Sequence, residues 1–239
     1  MAFKIIDYYP KFDENTKILL NTSDLVFAPT ATSDFLISAV ASNINKVDKL
    51  LDLGCGNGIV GIALSKFNKA NKIYCSDISI EAVKIADLNI KLNNCVGEVI
   101  KSNIFSNWDG YKFDIIVDDI SGISEQVAKL SSWFENVPCD AGIDGTANIE
   151  KVLNEARYFL NKNGKIFFPV ISLSNTNKIL DIANKNFKNL KKISHNQWFL
   201  PKELSSNLTL LEKLKKDGCI DYCQKFGELI CWTDIYSAN

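Results

Sequence analysis

Three glycines stand at alternate positions, Gly54, Gly56 and Gly58, directly after an apolar run that holds a single acid, Asp52 in Leu50–Leu53. Gly61 follows one turn later. Glycine at that spacing lets a ligand lie against bare backbone and permits φ > 0, which a residue with a Cβ resists. A helix that begins just after the turn offers unpaired N–H groups to a polar or anionic group. Asp77 lies 21 residues beyond Gly56 and ends the next apolar run. A carboxylate there accepts the two hydroxyls of a ribose, or caps the helix that follows. Asn103, with Ile104 and Phe105, either brackets an adenine or is a turn asparagine. Asp118 and Asp119 end a further apolar run. Asp119 can orient a nucleophile and accept its proton, cap the strand end, or bind an amino group of a cofactor.

Alternating apolar runs and helical patterns place these residues. Strands are expected at Leu50–Leu53, Lys72–Cys75, Val96–Lys101, Phe113–Val117, Lys165–Val170, Leu190–Leu200 and Leu229–Tyr236. Helices are expected over Asp34–Ser42, Ile59–Lys66, Ser79–Leu92, Ile149–Leu160 and Asn175–Lys185, the fourth closed by Asn163-Gly164. Ahead of them, Phe3–Tyr9 partly alternates, and a hairpin is expected over residues 17–27, turning at Asn21–Asp24. Asp118–Gly145 reads as a long loop with a short helix around Glu125–Phe134. Strand and helix in series make an open, largely parallel sheet with helices on both faces. Ligands of such sheets sit at the carboxyl ends of the strands, where the glycine turn, Asp77, Asn103 and Asp119 all fall.

Composition narrows the partners. The 239 residues are 46% apolar with a net charge of −1. That charge argues against bulk electrostatic binding of nucleic acid. Arg157 is the single arginine beside 26 lysines, so bidentate phosphate or base-edge recognition is poorly supplied. Residues 185–217 hold eight lysines and three acids; a solvated face or a dock for an acidic partner explains them. The lone histidine, His195, is expected to be structural or at the surface. Seven cysteines without a CxxC pair suggest reduced, buried thiols and no metal centre. No long apolar segment occurs, so a cytoplasmic location without membrane contact is expected.

An adenosine-bearing cofactor suits this edge, and two kinds are open. Gly56, Gly58 and Gly61 satisfy GxGxxG with an acid about 20 residues on, the dinucleotide pattern. Gly54 and the in-strand Asp52 lie outside that pattern. LDLGCGNGIVGIAL (51–64) strongly resembles the first motif of the Rossmann-like S-adenosylmethionine-dependent methyltransferases. CSDIS (75–79), SNIF (102–105), FDIIVDDIS (113–121) and residues 141–168 continue the resemblance. The last resembles the release-factor glutamine methyltransferases and their methyltransferase small-domain relatives. VFAPTATSDFL (26–36) and GELICWTDIYSA (227–238) resemble the segment before that fold and its final antiparallel strand.

The resemblance implies a seven-stranded, mostly parallel sheet whose last strand is antiparallel. It implies a substrate-side segment over residues 1–45, a hairpin and a helix, and a Rossmann-like domain over residues 46–239. It also implies roles. Asp52, Gly54, Cys55, Gly56 and Gly58 hold the methionine portion of S-adenosyl-L-methionine. Asp77 with Ile78 holds the ribose, and Asn103 with Ile104 the adenine. Asp119 contacts the cofactor or serves catalysis, and Ser33, Ile120 and Ser121 face the substrate. Glutamine- and adenine-methylating relatives carry N/D-P-P-Y/F at the fourth strand; here the residues are Asp119-Ile120-Ser121-Gly122. Both prolines and the aromatic are replaced, so the grip on a planar amide or base is altered. The expected activity is methyl transfer to an N or O nucleophile of a small molecule or of a peptide or protein side chain. A non-catalytic adenosine-cofactor-binding or regulatory protein, and a nicotinamide oxidoreductase, are the alternatives.

Overall fold

The computed structural model describes residues 4–239 except 135, 136, 138 and 140; the start of the alternating run at Phe3 and part of the 118–145 loop lie outside the described residues. The chain forms two compact units. The first comprises Met1–Ile120, Glu155–Phe168 and Asn239, the second Ser121–Asn154 and Pro169–Ala238.

The first unit opens with an antiparallel hairpin, β1 (Lys4–Tyr8) and β2 (Ile18–Thr22), followed by α1 (Ala31–Asn43). Then come β3 (Val47–Leu53), α2 (Ile59–Lys66), β4 (Ala70–Asp77), α3 (Ile80–Leu92), β5 (Gly97–Lys101) and β6 (Phe113–Asp118). β7 (Leu160–Ile171) begins here and runs on into the second unit. The strand order is β5-β4-β3-β6-β7, and every pair is parallel. β3 is central, with Leu50, Leu51 and Leu53 buried. Registers align the carboxyl ends: Leu53 lies opposite Ser76 on one side and Asp118 on the other, and Asp77 opposite Lys101. A buried aromatic cluster of Tyr74, Trp108 and Phe113 supports this end, and Trp108 Nε1 donates to Ser76 Oγ at 3.1 Å.

The second unit contains α4 (Glu125–Ala128), most of α5 (Ala147–Glu155), α6 (Thr176–Asn186), β8 (Leu190–Phe199), α7 (Lys202–Ser205), α8 (Leu208–Lys216), β9 (Cys223–Lys225) and β10 (Glu228–Ala238). β10 pairs antiparallel with both β8 and β9. The short β9 is one strand beyond the seven expected. Leu204, Leu211, Leu214 and Ile220 bury their side chains with Leu229 and Cys231 of β10. His195 Nδ1 lies 2.6 Å from Asp234 Oδ1, half-exposed in this unit. Among the described residues no helix is long and apolar enough to cross a membrane.

Two local expectations are corrected. The hairpin does not span residues 17–27: β2 pairs with β1, Asn21 and Thr22 lie within β2, and residues 25–27 form no strand. The other edge of β2 is already taken by the side chains of Asn89 on α3 and of Asn93, the C-cap of that helix. Asn163-Gly164 does not close a helix. α5 ends at Glu155, one 3-10 turn follows over Ala156–Tyr158, and β7 begins at Leu160 opposite Phe113. Phe159 stacks on Phe105 at 4.4 Å, and its carbonyl accepts from the Phe113 N–H at 2.8 Å, which commits the chain to the strand. Gly164 falls within a register shift of β7, where an added Cβ would meet the Phe113 carbonyl at 2.9 Å. The dipeptide marks a bulge.

Fully buried Asn89 joins hairpin to core. Its Oδ1 accepts from the Asn21 N–H (2.7 Å), and its Nδ2 donates to the carbonyls of Asn21 (3.1 Å) and Asn57 (2.9 Å). Replacement strands those backbone groups. Asn89→Ala is expected to lower stability by about 2–4 kcal/mol, read from urea unfolding.

Candidate active site

The turn after β3 is built on backbone geometry. Gly54, Gly56 and Gly58 have φ of 72°, 53° and 83°, the left-handed region that costs other residues about 1–2 kcal/mol. The Gly54 and Cys55 N–H groups both donate to the Ser76 carbonyl at 2.9 Å, and the Gly58 N–H donates to the Cys55 carbonyl at 2.7 Å. At Gly54 an added Cβ would lie 2.4 Å from Ile120 Cγ1, so Ile120 closes on the turn; at Gly56 it would meet nothing within 4 Å. Asp52 is fully buried on β3. Its Oδ2 accepts from the Gly61 N–H at 2.8 Å, while Oδ1 has no hydrogen-bond partner. Burial pushes the Asp52 carboxyl up to about 8, opposed by the Gly61 N–H and assisted by the Asp119 and Asp77 charges.

Asp77 is half-buried at the end of β4. Its Oδ2 accepts from the Gly56 N–H at 3.0 Å and its Oδ1 from the Ser79 N–H at 2.9 Å. Burial raises its pKa, and these N–H groups oppose the rise. The helix cap itself is Ser79, whose Oγ accepts from the Ala82 N–H at 3.3 Å. Asp77 therefore locks the glycine turn and keeps a further lone pair on each oxygen for a hydroxyl. Ile78 beside it is 63% exposed. Asn103 is exposed, and Ile104 adopts φ 54°, an uncommon strain for a β-branched residue. The Ile104 carbonyl is held by the Ser102 hydroxyl at 2.8 Å, and the Asn103 N–H by Ser106 Oγ at 3.2 Å.

Asp118 and Asp119 diverge. Asp118 is buried, its Oδ1 accepting from the Ile120 N–H at 3.2 Å, and burial carries its carboxyl up to about 8. Asp119 is half-buried. Its N–H donates to the Leu53 carbonyl at 3.0 Å, and its Oδ2 accepts from Ser33 Oγ at 2.7 Å. Burial lifts its carboxyl to about 6, held back by the Ser33 hydroxyl. Ser33 lies in the first turn of α1, where its N–H donates to the Thr30 cap at 3.1 Å. The next residue, Asp34, accepts from the Tyr8 hydroxyl at 3.0 Å through Oδ1. Burial first, and then Asp34, raise the Tyr8 pKa well above its ordinary value. Tyr8 and Asp34 are site neighbours whose partners spacing alone does not reveal: from the sequence Tyr8 is open to a part in a substrate lid or, more simply, ordinary packing, and Asp34 reads as the start of a helix. Ser121, expected on the substrate side, is the first residue of the second unit.

These features fit an adenosine cofactor that carries hydroxyls and positive charge. The orphaned Asp52 Oδ1, the open space before Gly56, the Asp77 lone pairs and the exposed Ile78 face supply acceptors and an apolar surface. They have a cost. Asp52, Asp118 and Asp119 all have native pKa values above the ordinary carboxylate value of 3.8. The folded chain thus holds more protons than the unfolded chain from about pH 4 to 8, and stability falls as pH rises through that window. Urea unfolding across the window is expected to show this decline, and Asp118→Asn, which keeps an acceptor for the Ile120 N–H, to flatten it.

Comparison with known proteins agrees. The methyltransferase small domain family model matches residues 12–119. The chain is 32% identical over 142 residues to a putative protein N5-glutamine methyltransferase of Methanocaldococcus jannaschii, covering 59% of this chain and 70% of that protein. It is 29% identical over 166 residues to a ribosomal protein uL3 glutamine methyltransferase of Francisella tularensis, covering 67% of this chain but only 52% of that protein, so the chain spans about half its length. A T. thermophilus 16S rRNA methyltransferase solved with AdoMet and guanosine shares the fold, with a TM-score of 0.62 and 12% identity over 100% of this chain and 51% of that one. The α/β architecture, the glycine turn and these matches lead to one assignment: the chain belongs to the methyltransferase small-domain group of Rossmann-like, S-adenosyl-L-methionine-dependent methyltransferases.

Proposed function

We propose that the chain transfers a methyl group from S-adenosyl-L-methionine to a side-chain nitrogen of a protein in the cytoplasm. Asp119 carries this reading. It is a carboxylate at the end of β6 with one oxygen held by Ser33, a second oxygen without a hydrogen bond among the described residues, and a pKa near 6. Two relatives named as protein glutamine methyltransferases support a protein acceptor. When bound, S-adenosyl-L-methionine supplies a methyl group activated by its sulfonium charge.

The chain's own residues bind and align. Asp77 takes the ribose hydroxyls, and Ile78, Asn103 and Ile104 flank the adenine. Asp52 Oδ1 finds its missing partner in the ammonium of the methionine portion, beside the backbone of Gly54, Cys55, Gly56 and Gly58. Asp119, ionised at neutral pH, accepts a hydrogen bond from the acceptor N–H, holds the nitrogen lone pair in line and takes its proton. Ser33 fixes the carboxylate, while Ile120 borders the acceptor. Asp119-Ile120-Ser121-Gly122 contains no aromatic face, so recognition of the acceptor falls to residues outside this tetrapeptide.

Tritiated methyl transfer to purified ribosomal proteins and release factors, with 16S rRNA in parallel, tests the reading. Label in protein is expected; label confined to RNA overturns it. Cofactor binding without turnover on any acceptor favours a regulatory protein. Asp119→Asn is expected to lower kcat by about 10²–10⁴ while cofactor affinity, measured by calorimetry, stays within about threefold; a larger loss of affinity makes Asp119 a cofactor ligand. The kcat profile of the unaltered chain should rise through about pH 6 as Asp119 ionises. Gly56→Ala puts a methyl group into the open space and pays the left-handed strain. Stability should drop by only about 1–2 kcal/mol, with cofactor affinity falling about tenfold or more.

A further inference from the structure

The N-terminal hairpin has one edge closed by side chains and the other open. Pairing sets Asp7 opposite Leu19 and Ile5 opposite Asn21, with Ile6 opposite Leu20 between them. The Leu19 N–H donates to Asn93 Oδ1 (3.0 Å) and its carbonyl accepts from Asn93 Nδ2 (2.7 Å). Asn89 engages the Asn21 N–H and carbonyl in the same way, at 2.7 and 3.1 Å. Two asparagines four residues apart, Asn89 on α3 and Asn93 at its C-cap, thus stand in for a strand beside β2. Leu19 and Asn21 therefore turn their backbone groups away from β1. In an antiparallel ladder, residues opposite each other either both face the partner strand or both face away. Ile5 and Asp7 consequently direct their N–H and C=O groups outward, and among the described residues nothing pairs with them.

This open edge is tied to the acceptor side of the site. The Tyr8 hydroxyl and the Lys11 N–H both reach Asp34 Oδ1, at 3.0 and 3.1 Å, while the adjacent Ser33 holds Asp119 at 2.7 Å. One turn of α1 fixes both the end of β1 and the Asp119 carboxylate. Ile5 and Tyr9 flank the edge with 57% and 50% of their surface exposed. Pro10, without an N–H, ends it.

We propose that the free edge of β1 binds an extended segment of the polypeptide acceptor as an added strand, delivering one of its side chains toward Asp119. This rests on the protein-acceptor reading above. A row of alternating N–H and C=O groups at strand spacing matches another peptide backbone, and a phosphate backbone has no donors to meet its carbonyls. A polyanion would meet the Asp7 carboxylate on this edge, which Lys17 pairs at 2.8 Å. Unprotected edges of this kind recruit strands, and the exposed Ile5 and Tyr9 give the incoming segment apolar contacts.

Proline substitution separates the outward from the inward groups. Ile5→Pro and Asp7→Pro each remove an outward N–H and are tolerated on an edge; Ile6→Pro removes an inward one and should open the hairpin. The probes are a seven-residue blocked peptide with a central glutamine among alternating threonine and valine, and N-acetylglutamine amide, which is too short to pair. Peptide binding, with S-adenosylhomocysteine present, is read by amide hydrogen exchange, and methylation of both probes is measured. In the unaltered chain the peptide should protect the Ile5 and Asp7 amides about tenfold or more. Ile5→Pro and Asp7→Pro should weaken peptide binding about tenfold or more, leaving the urea midpoint, cofactor affinity and any transfer to the small amide unchanged. Absence of protection, or equal peptide binding by the variants, overturns the proposal, as does an edge-to-edge dimer of the chain that Asp7→Pro dissolves without affecting the peptide. Protection without methylation of either probe leaves the docking edge standing and counts against a glutamine acceptor.

Discussion

One carbonyl shapes the cofactor end of the first unit. The Ser76 C=O, on β4, receives the N–H groups of both Gly54 and Cys55 as the chain leaves β3. That double bond of neighbours turns the backbone sharply enough to require φ > 0 at Gly54, and again at Gly56 and Gly58. The strand register makes it available, because Leu53 and Ser76 lie level. The side chain of the same serine accepts from buried Trp108, so the aromatic cluster beneath the sheet end braces the turn above it. The Gly56 N–H then reaches Asp77, so the turn is fixed to two consecutive residues of β4.

Around this turn the fold gathers carboxylates rather than pairing them. Asp52, Asp118 and Asp119 are raised chiefly by burial, and their mutual charges add to the rise at Asp52 and Asp118. Hydrogen bonds from Gly61, Ile120 and Ser33 offset part of the penalty without neutralising the charge. Such an arrangement is costly in an empty protein and favourable toward a positively charged ligand, the usual exchange of stability for function at an active site. The strained Ile104 belongs to the same account, since a β-branched residue at positive φ persists only where its surroundings hold it.

The end of β6 is held from the amino-terminal side. α1 presents Ser33 to Asp119 and Asp34 to Tyr8 from consecutive residues, so one helix start couples the hairpin to the sheet end. Asp119-Ile120-Ser121-Gly122 holds no aromatic, and under the proposed reading selectivity for the acceptor falls to other surfaces, the hairpin among them.

The glycine turn and the polar strand ends beside it were legible in the residues themselves. Alternate glycines have few uses other than a left-handed turn, and the polar tips of the following apolar runs, Asp77, Asn103 and Asp119, can be read by spacing, because a parallel sheet brings strand ends level. The misread parts were those where one short pattern has two physical outcomes. Asn163-Gly164 suits a helix end as well as a bulge, and the Phe105–Phe159 stack, 54 positions apart, decided for the strand. Leu25–Phe27 was strand-like, but the edge it needed was already filled by asparagines from α3. The sequence by itself determined the parallel sheet and the left-handed turn, since these follow from local periodicity and steric freedom, while the family was read from the resemblance of its motifs. Only the tertiary structure decided which oxygen of Asp119 is held, that Tyr8 is bound to the same helix turn as Ser33, and that β1 keeps an open edge. Hydrogen bonds between distant segments depend on where those segments meet, and no spacing along the chain records that.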